Sequence, residues 1–434
     1  MILRSVRARA ILALLPLLAA TACTDETPTL TGDPYFPGGS RPVTLEAIVP
    51  AAQFLQMLGV YQGYESSRTL GQVIVANQYQ GVLSAHALQD YNVPDTLTYS
   101  QGGTTRTDAL YSIRSARLVV AVDSLGSYQG AATTLQVYRV AQAYDPGSAT
   151  WTLAVDSGAV HTPWTQPGGT LGALLGTGSY VRATSDTVVI PIDTAAARAL
   201  RPDSASGLIL ATAQAGTRLQ LSSAVLRLDL KPSNSDRDTT ITVNVSPDVN
   251  FFVYTPETPP LTAGAFAAGG VQAARTLFRV NFDQPLPGCA VPTTCAAVRL
   301  KDVDLNQVSL LLKPLAPPAG FDALRPLPLT LWTLNEPELG RRAPLGHLAL
   351  DPQTAGSSAT QYVAYLPGDT LVELPLTLQA RETVANDTLQ LNFALLGETP
   401  PAGTTTARTF GLAQFDAQPR LRIVYTLHSS PELP

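Results

Sequence analysis

The 434-residue chain is written twice. An ordered set of β-type segments in its first half returns in the second: VLSAHAL at 82–88 as TLFRVNF at 276–282, ARLVVAV at 116–122 as VSLLLKP at 308–314, LQVYRV at 135–140 as LTLWTL at 329–334, and VLRLDL at 225–230 as RLRIVY at 420–425. The offset stays between 192 and 195 residues, although a gap of about ten residues opens and closes between the third and fourth segments. Solenoid repeats run roughly 20 to 50 residues, so this period fits a duplicated domain instead. Period-two alternation fills the segments. Leu226, Leu228 and Leu230 alternate with Arg227 and Asp229, and Phe278, Val280 and Phe282 with Arg279 and Asn281. Leu421, Ile423 and Tyr425 alternate in the same way with Arg420 and Arg422. One face buried and one wetted is the mark of antiparallel sheet. With 35 prolines and 32 glycines, the expected class is all-β, two tandem antiparallel β-sandwiches of many short strands joined by tight turns. Helical signal is confined to DTAAARAL at 193–200, with Asp193 or Thr194 as N-cap, and its counterpart TLQARETVAND at 377–387.

The N-terminus has Arg4, Arg7 and Arg9, then an apolar run at 10–20 interrupted by Pro16. Eleven such residues cannot cross a bilayer, which takes roughly 20, so residues 1–22 read as a cleaved secretory signal. Ala20-Thr21-Ala22-Cys23 resembles the bacterial lipobox, which implies a lipid on Cys23 as the new N-terminus. An ordinary signal peptide that happens to precede a cysteine is the alternative. Thr24, in place of the aspartate that favours inner-membrane retention, points to an outer-membrane destination. Residues 23–43 form the lipidated start and a flexible tether, the first sandwich is expected over 44–234, the second over 235–429, and 430–434 is a tail.

The remaining cysteines, Cys289 and Cys295, lie in one short loop and read as a disulfide in an oxidising compartment; a metal site would want about four ligands at recognisable spacing. Formal charge is −5 and becomes −8 without the three signal arginines, which excludes a strongly basic nucleic-acid footprint. Catalytic signatures are missing. His86, His161, His347 and His428 are scattered, with no His-Glu-x-x-His pair and no Gly-x-Ser-x-Gly elbow. Any of the many carboxylates could still form a glycosidase pair by accident. No cofactor is called for. Alternating oxygen ligands at Asn234, Asp236 and Asp238, and at Asp302, Asp304 and Asn306, leave a structural calcium open, though three oxygens do not complete its shell.

The strand series RTLFRVNFDQPLP at 275–287, VSLLLKP and LTLWTL, with SARLVVAV, LQVYRV and YDPGSATW in the first copy, is similar to the DNRLRE-type, disaggregatase-related β-sandwich domains. Bacteroidetes-type lipoproteins share the plan of a lipobox followed by paired sandwiches. The first copy lacks the Arg-x-Leu-x-x-Phe-Asp strand and the second lacks the Tyr-Asp-…-Thr-Trp element. The resemblance implies jelly-roll-like, carbohydrate-binding sandwiches on an exported chain. Sugar rings stack on aromatics, and the aromatics crowd the first copy, so Tyr144, Trp151, His161 and Trp164 are the candidate ligand-binding residues. Bracing a sheet corner is the competing use of such rings, and Trp332, inside a strand, is expected in the core. The expected function is a non-catalytic envelope protein, held to the membrane by its N-terminal lipid, that binds a polysaccharide or envelope polymer. A structural lipoprotein that docks another envelope protein is the alternative, and a polysaccharide-active enzyme the second alternative.

Overall fold

A computed structural model describes residues 43–427 apart from 131, 183–184, 201–206, 234–238, 284, 288–296, 356–357 and 398–409. The expected signal peptide, Cys23, the tether, Cys289, Cys295, His428 and the oxygen ligands Asn234, Asp236 and Asp238 lie outside the described residues. The fold is an all-β antiparallel sandwich. By its contacts Glu46–Tyr425 is one compact unit, and 43–45 and 426–427 belong to a small second one.

The strands that carry the repeat in the first half are β1 (Val43–Pro50), β2 (Leu55–Tyr61), β3 (Val73–Tyr79), β4 (Leu83–Tyr91), β5 (Ser112–Val122) and β6 (Thr133–Val140). They continue with the hairpin β7 (Leu153–Ser157) and β8 (Val160–Pro163), then β9 (Leu171–Tyr180), β10 (Thr187–Ile192), helix α1 (Thr194–Arg198), β11 (Leu208–Thr212) and β12 (Thr217–Lys231). Those of the second half are β13 (Ile241–Val245), β14 (Pro247–Thr255), β15 (Arg275–Asn281), β16 (Asp304–Leu312), β17 (Leu327–Leu334), β18 (Val372–Pro375), helix α2 (Thr377–Ala385), β19 (Gln390–Leu396) and β20 (Arg420–Leu427). All eight segments of the sequence repeat fall on strands.

The pairings repeat as well. The first half contains the orders β6-β11-β4 and β12-β5-β10, and the second contains β17-β19-β15 and β20-β16-β18. Helix α1 begins at Thr194 and α2 at Thr377, an offset of 183 residues, which accounts for the ten-residue gap in the sequence repeat. Each helix has a carboxylate at its N-terminus, by different routes. Asp193 accepts from the amides of Ala195 and Ala196, whereas Asp351, distant in sequence, accepts from Thr377 and Leu378 at 2.8 Å each.

Strand pairing does not follow the expected boundary near residue 235. Strands β13 and β14, just past it, join the first half: β13 pairs with β12, and β14 runs along β4 from Ser84 to Tyr91. Strands β1 and β2, at the other end of the chain, join the second half, β1 beside β20 and β2 paired with β15. The two strand pairs are counterparts in the repeat, and they are exchanged. Sequence alternation cannot reveal this, because it fixes which face of a strand is buried but not which strand lies beside it.

Within the first half the sheet divides at β4. Strand β3 pairs with Leu83 and Ala85 and β11 with Ala87–Gln89, so two leaves, β11-β6-β9 and β3-β12-β5-β10, diverge and enclose the core. The alternation expected from sequence is present: Leu226, Leu228 and Leu230 are buried and Arg227 is exposed. The leaves meet again where β9 lies against β10. Glycine permits this contact. A Cβ on Gly176 would run into the Pro191 carbonyl oxygen, and one on Gly178 would lie 2.5 Å from Val188 Cγ1. The core is continuous across the halves, because Phe321, Phe410 and Leu412 belong to the same cluster as Val120, Leu226 and Phe252. A row of rings marks the crossing: Phe252 and Phe321 each lie against Phe410, at 6.2 and 5.5 Å, and Tyr254 lies 6.3 Å from Phe321.

Gly176→Ala should destabilise the protein by about 1–3 kcal/mol through overpacking against β10 backbone. Gly71→Ala, where a Cβ meets nothing within 4 Å, should leave the urea midpoint unchanged; parallel urea titrations of the two variants check this.

Candidate functional site

The four aromatic candidates separate in three dimensions. Tyr144 and Trp164 are buried, 4% and 5% exposed, with ring centroids 5.7 Å apart. The Tyr144 hydroxyl donates to the buried Asp90 carboxylate at 2.6 Å, and the Trp164 indole N–H donates to the Thr150 carbonyl at 2.9 Å. A buried carboxylate needs such a donor, so Tyr144 is committed to the core, and neither ring can stack on a ligand. Desolvation, helped by Asp90, pushes the Tyr144 phenol well above its ordinary value. His161 sits on the exposed β7–β8 hairpin and pairs with Asp156 at 2.7 Å. Trp332 is half-buried and packs on Leu277, Leu334, Ala394 and Leu396.

Of the four candidates, Trp151 lines a cavity. It is about 220 Å³ in volume, and Glu65, Arg68, Trp151, Tyr254, Glu257 and Gln272 give it its chemistry. Local chemistry fixes the turn that delivers Trp151. Asp145 accepts from Ser148 Oγ at 2.5 Å and from the Gly147 amide at 3.0 Å, which holds its carboxyl below the usual range. Arg68 reaches across from a preceding loop and donates through Nε to the Pro146 carbonyl and through Nη2 to the Ala149 carbonyl. Its guanidinium carbon lies 4.7 Å from the centre of the Phe251 ring, and burial lowers its pKa. Arg68 is thus spent on positioning the turn.

Trp151 itself is held at three points. Its amide donates to Glu257 Oε1 at 2.8 Å, its carbonyl accepts from the Gly168 amide at 2.6 Å, and its ring lies 5.2 Å from His86. Gly168 is at φ +85°, and a Cβ there would approach the indole to 2.6 Å and His86 Nδ1 to 2.9 Å; only glycine fits. His86 Nδ1–H donates to the Gly168 carbonyl at 2.8 Å, which assigns the proton to Nδ1 in the neutral ring. Burial lowers the His86 pKa, partly opposed by that hydrogen bond.

What remains open is a set of unused polar groups around a fixed, half-buried indole. Among the described residues the Trp151 indole N–H and the second carboxylate oxygen of Glu257 have no protein partner. Glu65 lies on the opposite loop, where Oε2 accepts from Thr69 at 2.8 Å. The Gln272 side chain donates to the Glu257 carbonyl at 2.7 Å, locking the loop that carries this glutamate. Sequence reading missed Glu65, Arg68, Glu257 and Gln272, because loops far apart in the chain bring them together. The one usable signal was Glu257 itself, a lone acid framed by Pro256, Pro259 and Pro260. Among the described residues no group of three or more His, Cys, Asp and Glu side chains could hold a metal ion, and Asp302, Asp304 and Asn306 are exposed at one strand end.

With its folded pKa below the unfolded value near 6.5, His86 is neutral in both states above that pH. As pH falls below it the unfolded chain takes up the proton first, so stability declines. Urea midpoints at pH 7.5 and 5.0 should show a loss that is smaller in His86→Gln, and Trp fluorescence should follow the same transition. No protein-family model matches this chain, and no curated protein matches it.

Proposed function

We propose that this is an exported, non-catalytic envelope protein, anchored by lipid on Cys23, that binds a polysaccharide or envelope polymer in the Trp151 cavity. One observation carries the reading: a rigid, partly open indole stands beside a carboxylate oxygen with no protein partner, in a cavity lined by further hydrogen-bonding groups. A sugar ring offers an apolar face for the indole and vicinal hydroxyls for a carboxylate, and so matches both groups at once. At about 220 Å³ the cavity falls below the range of roughly 300–1,000 Å³ that holds drug-sized ligands. It suits one sugar unit or the end of a chain. The anchor rests on the sequence, since residues 1–42 lie outside the described part; among the described residues no helix is long and apolar enough to cross a membrane.

Glycan-array binding of the soluble form that starts after Cys23, followed by titration of the best ligand, tests the reading. Trp151→Ala and Glu257→Gln should each weaken binding about tenfold or more, the loss of one stacking contact or one charged hydrogen bond, while His161→Ala changes nothing. Absence of binding to every glycan would favour the docking of an envelope protein instead. Release of reducing ends, abolished by Glu257→Gln, would replace the non-catalytic reading with hydrolysis by the Glu65 and Glu257 carboxylates.

A further inference from the structure

A larger cavity, about 330 Å³, is lined by different residues, with Arg218, Gln220 and Gln72 providing its polar surface beside Leu324, Pro328 and Phe410. Arg325 stands at the rim, 41% exposed, and pairs with Asp123 at 2.5 Å. Among the described residues two arginines line the cavity and no carboxylate does.

Arg218 is the informative residue. It is 2% exposed, and its guanidinium lies near two rings, 4.9 Å from the centre of Tyr79 and 5.1 Å from that of Phe410. One nitrogen makes all its hydrogen bonds: Nη1 donates to the carbonyls of Gly320 and Asp322 at 3.0 Å and to Asp322 Oδ1 at 3.2 Å. Asp322 also accepts from the Tyr79 hydroxyl at 3.0 Å, so its charge is shared between two donors. Two rings thus pack against the guanidinium, and backbone carbonyls take the Nη1 side. Neither Nε, which is itself buried, nor Nη2 has a protein partner among the described residues, and Nη2 is the nitrogen left to a ligand.

Gln220 is an independent pointer. It lines the cavity, the residue is 6% exposed, and among the described residues its side-chain amide makes no hydrogen bond with protein. A Cβ at Gly126 would strike this amide, so the glycine keeps its place clear. Buried polar groups are ordinarily satisfied, whereas here Arg218 Nε is buried without a partner, and two residues along the same strand the Gln220 side-chain amide has unused capacity as well. Their side chains share one face of β12 by the period of two.

We propose that this cavity binds a compact organic carboxylate: the carboxylate on Arg218 Nη2 and the Gln220 side-chain amide, the body of the ligand against Leu324, Pro328 and Phe410. Two arginines tip the polar groups toward donors, and much of the rest of the lining is apolar, which suits an acid with a hydrophobic body better than a neutral polyol. The site does not depend on the Trp151 cavity.

Saturation-transfer NMR with the soluble form, using sodium glucuronate and cyclohexanecarboxylate with glucose and cyclohexylmethanol as neutral counterparts, tests this. At least one acid should bind about tenfold more tightly than its counterpart. Its affinity should fall about threefold or more in Gln220→Met, stay the same in Trp151→Ala, and disappear in Arg218→Met. If Arg218→Met does not fold, Gln220→Met decides. Preference for glucuronate would identify a sugar acid, and preference for cyclohexanecarboxylate a free apolar acid; either supports the site. No binding of either acid up to about 20 mM, equal binding of acids and neutral counterparts, or binding indifferent to Gln220→Met would overturn it and leave a cavity that holds water only.

Discussion

The exchange of strand pairs between the two halves is the constraint on which the rest of this structure depends. Strand β4 is buried on both faces over most of its length, and β14 covers it from Ser84 to Tyr91. Removing that neighbour would expose a row of unpaired backbone groups and the side chains of Leu88 and Ala87, a cost that no loop of the first half could offset. Strand β15, at the equivalent place in the second half, depends in the same way on β2. Each repeat is therefore completed by strands that the chain places outside it. One compact unit over Glu46–Tyr425 follows from this, as does a core that runs from Val120 to Phe410 without interruption.

Both cavities follow from it too. The Trp151 cavity takes Glu65, Arg68 and Trp151 from the first half and Glu257 and Gln272 from beyond β14. The Arg218 cavity joins Gln72, Arg218 and Gln220 to Leu324, Pro328 and Phe410. Neither would exist in an isolated repeat. The polar groups buried in the same interior are expensive to desolvate, and several have a specific remedy: Tyr144 donates to Asp90, and the carbonyls of Gly320 and Asp322 accept from Arg218. Not every buried polar atom is paired: among the described residues Arg218 Nε, the Tyr180 hydroxyl and the Thr212 hydroxyl have no protein partner.

Much of the fold was legible in the sequence, because period-two alternation and an ordered repeat are direct consequences of strand geometry. Leu226, Leu228 and Leu230 are buried as the pattern requires, and the two short helices stand at corresponding places. Partner choice was not legible. The pattern of ITVNV at 241–245 is the same whether it pads its own repeat or the preceding one, and only the tertiary pairing distinguishes them. The site was half legible. Of the aromatic residues after LQVYRV, Trp151 faces the cavity, but Tyr144 and Trp164 were drawn inward by Asp90 and the Thr150 carbonyl, partners invisible to a composition count. Glu257 and Arg68 gave no periodic signal, since loop residues obey no period.

Two fragments would test the exchange most directly: residues 62–255, which contain the first repeat together with β13 and β14, and residues 44–234, which follow the boundary suggested by sequence. The strand pairing predicts that 62–255 unfolds cooperatively in urea and gives a dispersed amide NMR spectrum, whereas 44–234 does neither. A cooperative, dispersed 44–234 beside an unfolded 62–255 would contradict it.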